Sequence, residues 1–511
     1  MGGSARVDIG LLIAKIERLN RIGAALSQEP DPERVLEAIL LGAKELTDAD
    51  GGSLYTRVGE ELRFQLVRND TLRIAFGGPG KPLPTLPAVR LADSAHSVVA
   101  RAAVTGSTVI IPDAYAEHQE DDGFDFSGTH AFDARMNYRS TSLLTVPMRN
   151  HEGFVIGALQ LINARDRDGV VEAFSEADVR LVESLASQAA QTLTKGELIK
   201  GMARLFDSFV ELIATAIDEK SPYTGGHCRR VPELTMALAE AASQAGLMSM
   251  SEEDRYEIQV ASWLHDCGKI TTPEWVMDKA TKLQSINDRI ELIAARFARR
   301  AAEREAACWR DIADGADRAV ALAALRDEVV VINEDLTFVR RVNIGGEAMN
   351  AVDVERIAAL GRAGSLTADE VRNLSIVRGT LLPEEREVIN HHIVATLNML
   401  EKLPFPKHLA RVPEIACGHH ERMDGKGYPK GLTREQMSVP ARIMGIADVF
   451  EALTAGDRPY KKAMKLSQAL AILAKMAGDG HIDPDLHQVF VASKVWQPYA
   501  RKFLQADQID L

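Results

Sequence analysis

Apolar residues recur at two different periods along this chain, and the change from one to the other divides it. Near the start, Ile9, Leu12, Ile16, Leu19 and Leu26 keep a 3-4 spacing, with Gly23 at one seam position. This predicts a helix within 1–29, packed either on its own domain or along a second copy of itself. Pro32–Leu46 continues as an amphipathic helix. Alternation at period two then marks strands at Ala49–Thr56, Leu62–Val67, Ser107–Ile111, Ser142–Pro147 and Phe154–Asn163, with Arg149–Gly153 as the turn between the last two. The order helix, strands, long loop, strands, helix predicts an α+β domain over 30–195, built on an antiparallel sheet.

Helical spacing returns at Asp178. Val182, Leu185, Ala189, Thr192, Gly196, Ile199, Ala203, Phe206, Val210, Ile213 and Ile217 hold a 3-4 alternation through 178–217. That run is read either as a helix shared between two domains or as a parallel dimer helix joining them, whose repacking could carry a signal. Beyond Ile217 the pattern is helical to the end, so the C-terminal half is expected to be all-α. Thr367–Glu370 is a capping box, and Pro383 opens another helix. Within 283–381, Ile286, Ile290, Ile293 and Phe297 form one apolar stripe. Leu322, Leu325, Val329, Ile332, Leu336 and Val339 form a second, with Asp314-Gly315 between them, which predicts a helical hairpin.

Composition narrows the picture without choosing a function. The chain has 511 residues, 46% hydrophobic and 26% charged, as expected of a globular protein with two or more domains. The formal net charge of −13 argues against binding a nucleic-acid polymer, which requires a basic face. The four cysteines, Cys228, Cys267, Cys308 and Cys417, form no CxxC pair, which fits a reducing compartment. No apolar run approaches the roughly 20 residues that span a bilayer. Met1–Asp8 has no apolar signal core. A cytoplasmic protein with no membrane association is expected.

Histidine carries the chemistry. His265-Asp266 lies in a helical pattern, His419-His420 opens a glycine-rich stretch, and His227, His392 and Asp448 lie in the same helical half. Imidazoles and carboxylates together suit iron, manganese or zinc. A shared carboxylate can bridge two such ions and clamp a phosphoryl displacement.

Two resemblances give these residues a context. The stretch 30–195 resembles a GAF domain, a small-molecule sensor module. The residues that carry the likeness are Thr105-Gly106, Ile111–Tyr115, Tyr138–Pro147, Gly157–Asn163, Phe174 and Asp178. Asn163, Phe174 and Asp178 match a signature of cyclic-nucleotide-binding GAF domains, whereas Ala164 and Val179 stand where that signature has Lys and Glu. The resemblance implies a sensor for an unidentified small ligand. A ligand-free, dimer-forming GAF domain is the alternative, and the 3-4 patterns of the N-terminal and connecting helices are where a homodimer is expected.

The C-terminal half resembles the HD-GYP family of HD phosphohydrolases. The likeness rests on His265-Asp266-x-Gly268-Lys269 and on His419-His420-Glu421-x-x-Asp424-Gly425-x-Gly427-Tyr428-Pro429. Flanking blocks agree: Tyr223–Val231, Glu387 with His392 and Leu400, and Ala441–Thr454 running into Arg458-Pro459-Tyr460. The domain would comprise 218–282 and 382–505, with 283–381 inserted. The resemblance implies a helical bundle that opens cyclic di-GMP to linear pGpG, GMP or both. A mixed cyclic dinucleotide such as cyclic GMP-AMP is the alternative substrate, and a non-catalytic receptor the alternative role. It implies two divalent ions, iron or manganese, with no other cofactor. One would be held by His227, His265, Asp266 and Asp448, the other by Asp266, His392, His419 and His420. Asp266 and Lys269 would be catalytic, and Lys269, Tyr428, Arg458 and Lys461 would touch the substrate. His392 rather than His391 is the expected ligand, and Glu421 could orient a ligand histidine. Some members hold a third metal through a Glu four residues before the first histidine. Tyr223 occupies that position, and a phenol is a poor ligand at neutral pH.

Overall fold

The structure, a computed structural model, describes residues 9–511 apart from 30, 117–122, 167, 222–225, 347 and 457–462; for 9–12 and 27 it describes the backbone alone. The chain forms two compact units, Met1–Leu205 and Phe206–Leu511.

The first unit is an antiparallel sheet between helices. Its strands are β1 (Ala49–Val58), β2 (Glu61–Asn69), β3 (Ile74–Phe76), β4 (Val89–Arg90), β5 (Val109–Ile111), β6 (Leu143–Arg149), β7 (Val155–Arg165) and β8 (Val171–Glu172). They run in the order β3-β2-β1-β7-β6-β5, with β4 beside β2 and β8 beside β7. Alternation assigns the two faces. Leu54 and Leu159 enter the core shared with helices α1 (Ile9–Gln28), α2 (Pro32–Thr47) and the start of α5 (Glu176–Lys220), while their neighbours Tyr55 and Ala158 face α3 (Val98–Thr105). A side chain at Gly52 would strike Leu40 and the backbone of Gln160, so α2 lies close on β1. The loop expected between the strand groups also holds α4 (Ser127–Met136), which buries only Asp133. It is too polar to read as a helix.

Asn163, Phe174 and Asp178 are occupied by the frame. Asn163 sits at φ 58° and accepts from the N–H groups of Thr141 (2.7 Å) and Ser142 (3.2 Å). Phe174 is buried, and Asp178 pairs with Lys15 at 3.0 Å. A separate cavity of about 420 Å³ is lined by Tyr55, His96, Asp125, Thr129 and Gln160, among others.

Helix α5 corrects the register expected for the connecting seam. Val182, Leu185 and Ala189 are buried in the first unit's core, and Val210 and Ile217 in the second's. Of the expected seam, Ile199 and Ile213 are exposed; the other exposed apolar positions are Leu198, Met202, Leu205, Phe209 and Leu212, each more than half exposed. A helix that serves two cores is apolar on more than one face, so a 3-4 count alone could not select the free one. In α1, Leu19 and Leu26 are buried against its own unit while Ile13 and Ile16 stay exposed.

The second unit is helical. Its bundle comprises α6 (His227–Gln244), α7 (Glu252–Leu264), α8 (Glu274–Met277), and, after the insertion, α13 (Pro383–Leu400), α14 (Val412–Cys417), α15 (Val439–Thr454), α16 (Leu466–Gly478), α17 (Pro484–Ala492) and α18 (Trp496–Phe503). The segment 283–381 holds the expected hairpin, α9 (Ile290–Ala313) and α10 (Arg318–Asn343), turning at Gly315 with φ 105°. It goes beyond a hairpin: α11 (Ala351–Arg362) and α12 (Ala368–Leu374) complete a separate core around Ile293, Phe297, Ile332, Val339, Ile357 and Leu374. Thr367 and Glu370 form the capping box of α12. Among the described residues, no helix is long and apolar enough to cross a membrane.

Candidate metal centre

Three helix ends and two helix interiors deliver side chains to a single point in the bundle. His227 is the first residue of α6, and His265-Asp266 follows the last turn of α7. His392 projects from within α13, His419-His420 follow α14, and Asp448 comes from α15. His392 is buried whereas His391 is exposed. Gly268 makes the convergence possible. A Cβ there would collide with the carbonyl oxygen of His392 and lie 2.5 Å from the backbone nitrogen of Thr396, so the turn after Asp266 packs flush on α13.

Asp266 lies at the centre. Its Oδ2 is 3.2 Å from Nε2 of both His227 and His265, and its Oδ1 is 3.3 Å from Nε2 of His392 and 4.0 Å from that of His419. Asp448 reaches His227 Nε2 at 3.3 Å, and Nε2 of His420 lies 3.2 Å from that of His392. Two groups result, His227–His265–Asp266 and His392–His419–His420, each close enough to share one ion.

The outer nitrogens decide what the inner ones can do. His265, His392 and His419 each turn Nδ1 to the carbonyl three residues earlier, at 2.7, 2.5 and 2.7 Å. A carbonyl only accepts, so Nδ1 carries the proton and Nε2 presents a lone pair. His227 does the same toward Glu451 Oε2 at 2.5 Å, and Arg230 binds the other oxygen at 2.7 Å. In the neutral rings, lone pairs therefore face one another across 3.3 Å between His227 and His265. Asp266 Oδ1 and His419 Nε2 are buried with no hydrogen-bond partner. Such orphaned acceptors are costly unless a cation lies among them. The donor set fits divalent transition ions.

Electrostatics agree with that fit. Burial, then the neighbouring His420 and His265, hold His419 well below the usual imidazole range, and burial takes His420 down to about 4. Both are neutral, as ligands must be. Burial opposes charge on Asp266, but Lys269, His265 and His227 keep it ionised far below the usual carboxylate range. Burial opposes charge on His227, but Glu451, Asp266 and Asp448 outweigh it and raise its pKa well above the usual imidazole range, so positive charge is favoured at this position. A divalent ion supplies the same positive charge.

The other expected residues fall into three cases. Lys269 Nζ lies 2.5 Å from Asp266, and Tyr428 stacks on His420 with centroids 4.8 Å apart. Arg458, Lys461 and Tyr223 lie outside the described residues. Glu421 does not orient a histidine; its carboxylate accepts from the N–H groups of Lys430 (2.7 Å) and Leu432 (2.8 Å), holding the loop of Gly427-Tyr428-Pro429 in place. The carboxylate that does orient a histidine is Glu451. Its only sequence signal is a position three residues after Asp448, one turn along α15.

Known proteins match in both halves. A family described as GAF domain matches residues 31–193, and families described as HD domain match 224–325 and 347–486. A 3'3'-cGAMP-specific phosphodiesterase 3 of Vibrio cholerae is 26% identical over 285 residues, 55% of this chain and 38% of that one. A cyclic di-GMP phosphodiesterase of Thermotoga maritima is 34% identical over 113 residues, 22% of this chain and 30% of that one. The chain thus spans well under half the length of these relatives. Among solved structures, a GAF domain/HD domain protein from Geobacter sulfurreducens superposes with a TM-score of 0.24 at 18% identity, over 34% of this chain and 98% of that one. With sheet, helical bundle and matched families in agreement, this chain is a GAF domain followed by an HD domain.

Proposed function

We propose that this chain is a metal-dependent phosphodiesterase of the HD-GYP type that hydrolyses cyclic di-GMP to pGpG, GMP or both, in the cytoplasm, under control of its GAF domain. The observation that carries this reading is the placement of Asp266. One carboxylate faces two histidine groups, and its Oδ1 has no other partner.

In this reading His227, His265, Asp266 and Asp448 hold one ion and Asp266, His392, His419 and His420 hold the other, iron or manganese. When bound, such a pair supplies Lewis acidity to the phosphoryl group and acidifies water. Hydrolysis joins a water oxygen to phosphorus and breaks the P–O3′ bond, and the 3′ oxygen leaves with a proton. The protein's part is positioning and charge. Lys269 keeps its proton because Asp266 and Asp448 outweigh burial, so it can meet a phosphate oxygen as a cation. Tyr428, pushed up to about 12 chiefly by burial, remains a phenol and forms a wall over His420. Arg458 and Lys461 are proposed to reach phosphate or guanine. The cavity beside Tyr55 and His96 is the proposed seat of the sensor's ligand. The stripe Leu198–Leu212 supports a homodimer through α5, and exposed Ile13 and Ile16 extend that reading to α1.

A second reading has equal chemistry. Relatives named for 3'3'-cGAMP stand beside those named for cyclic di-GMP, so a mixed cyclic dinucleotide is the alternative substrate. The test is turnover of both dinucleotides by manganese- or iron-loaded protein, with Asp266→Ala as control. Turnover of neither by the loaded wild type, or equal turnover by the variant, would remove the proposal.

A further inference from the structure

The final turn of α5 touches both segments that carry the first ligand group. Asp218, buried, accepts from the N–H groups of Gly226 (3.1 Å) and Cys228 (3.3 Å), the residues on either side of His227. Gly226, at φ 87°, supplies no capping side chain to α6, so Asp218 does that work from outside the helix. Two positions on, the Lys220 ammonium donates to the carbonyls of Lys269 (3.1 Å), Ile270 (2.6 Å) and Thr272 (2.6 Å). These close the short 3₁₀ turn Cys267–Thr271 that follows Asp266. Ser221 then donates to Asp278 at 2.5 Å. Val210, Ala214 and Ile217 seat the same stretch of helix in the bundle core.

The geometry is that of a wedge. Residues two apart on a helix point about 200° from one another, so Asp218 and Lys220 face opposite ways. Lys220 uses all three of its donors on backbone carbonyls, and charge-assisted bonds of this kind are about twice as strong as neutral ones. Neither side chain is among the ligands. What they fix is the backbone from which His227, on one side, and Asp266 with Lys269, on the other, project.

We propose that Asp218 and Lys220 are positioning residues that set the separation of the His227 and Asp266 segments, so that a shift or rotation of the end of α5 opens or completes the first ligand group. Because α5 is one helix from Glu176 to Lys220, it offers a route by which an event in the GAF domain reaches the metal centre. The effect on turnover rests on the phosphodiesterase reading; the effect on metal binding does not.

The experiment uses the full chain and cobalt(II) as the probe, followed by titration calorimetry and the visible absorption spectrum, beside melting temperature, kcat and KM. Lys220→Met keeps the aliphatic stem without the donors, Lys220→Arg keeps donors and charge, and Asp218→Asn is the milder change on the other side. The expected result is about tenfold weaker cobalt binding at one site and an altered spectrum in Lys220→Met and Asp218→Asn. A lower kcat at nearly constant KM should accompany it, with most of the loss restored in Lys220→Arg. Both loss variants melting earlier while keeping wild-type cobalt affinity and spectrum would overturn the inference. Wild type that binds cobalt but turns over neither cyclic dinucleotide would instead sink the proposed activity, leaving the binding comparison decisive for this one.

Discussion

Glu451 accepts the Nδ1 proton of His227 across 2.5 Å while Arg230 neutralises its other oxygen. Burial raises the carboxylate's pKa, but the charges of His227 and Arg230 outweigh it and bring Glu451 down to about 2. The pair fixes the tautomer that presents Nε2 to Asp266 and Asp448. Glu451→Gln should therefore weaken divalent-metal affinity by about 10- to 100-fold. Calorimetry against manganese checks this, and unchanged affinity would show that the bond only packs α15 on α6.

Gly268→Ala puts a methyl into the carbonyl of His392 and the backbone of Thr396. Neither is the movable end of a side chain, so the turn must back away from α13. A destabilisation of about 1–3 kcal/mol is expected from overpacking. The two histidine groups would also separate, so metal stoichiometry should fall below that of wild type by elemental analysis. A variant with wild-type melting and metal content would contradict the close approach.

Lys282 gives a pH-dependent prediction away from the metal centre. Burial takes its pKa from 10.5 down to about 8, against the opposing pull of Asp353, and the amine donates to Leu374 O at 3.1 Å. Above pH 10.5 both folded and unfolded chains are neutral at this position. As pH falls toward 8 the unfolded chain takes up a proton first, so stability is lost across that window, on the order of 3 kcal/mol. Lys282→Met removes the step. Denaturant titrations at pH 7.5 and 10 should show the variant gaining on wild type at the lower pH, and equal differences at both values would count against the shift.

The exposed stripe on α5 predicts its own disruption. Met202→Glu with Phe209→Glu places two charges on a face that is otherwise apolar at 198, 202, 205, 209 and 212. Light scattering should show a dimeric wild type and a monomeric double variant, with the metal content of each unchanged. A wild type that is monomeric at tens of micromolar would refute the seam.

The histidines were legible because each sits in a short, dense motif whose residues have few other uses together. His265-Asp266 and His419-His420 point to metal ligands once His227, His392 and Asp448 are counted with them. Glu451 was not, because one more carboxylate on a helix reads as surface until α15 is laid against α6. Asp218 and Lys220 were hidden because their partners are backbone groups, which no side-chain pattern announces. In the GAF domain the long strands were readable from alternation, whereas β3, β4 and β8 hold only two or three residues each, too few for a period to register. The α5 seam shows the remaining limit. Periodicity reports that a face is apolar, not which neighbour covers it.

The insertion has a consequence for the order in which the protein assembles. It separates the Asp266 segment from His392 in sequence, yet its two ends meet. Thr380 donates to the carbonyl of Lys279 at 2.8 Å, and the Lys279 ammonium holds both Asn373 of α12 and Glu385 in the first turn of α13. Closing a free loop of about 100 residues has an entropic cost that grows with its length. An insertion that folds first on its own core and returns its ends side by side removes most of that length. The helices between Asp266 and His392 would then act during folding as a short link.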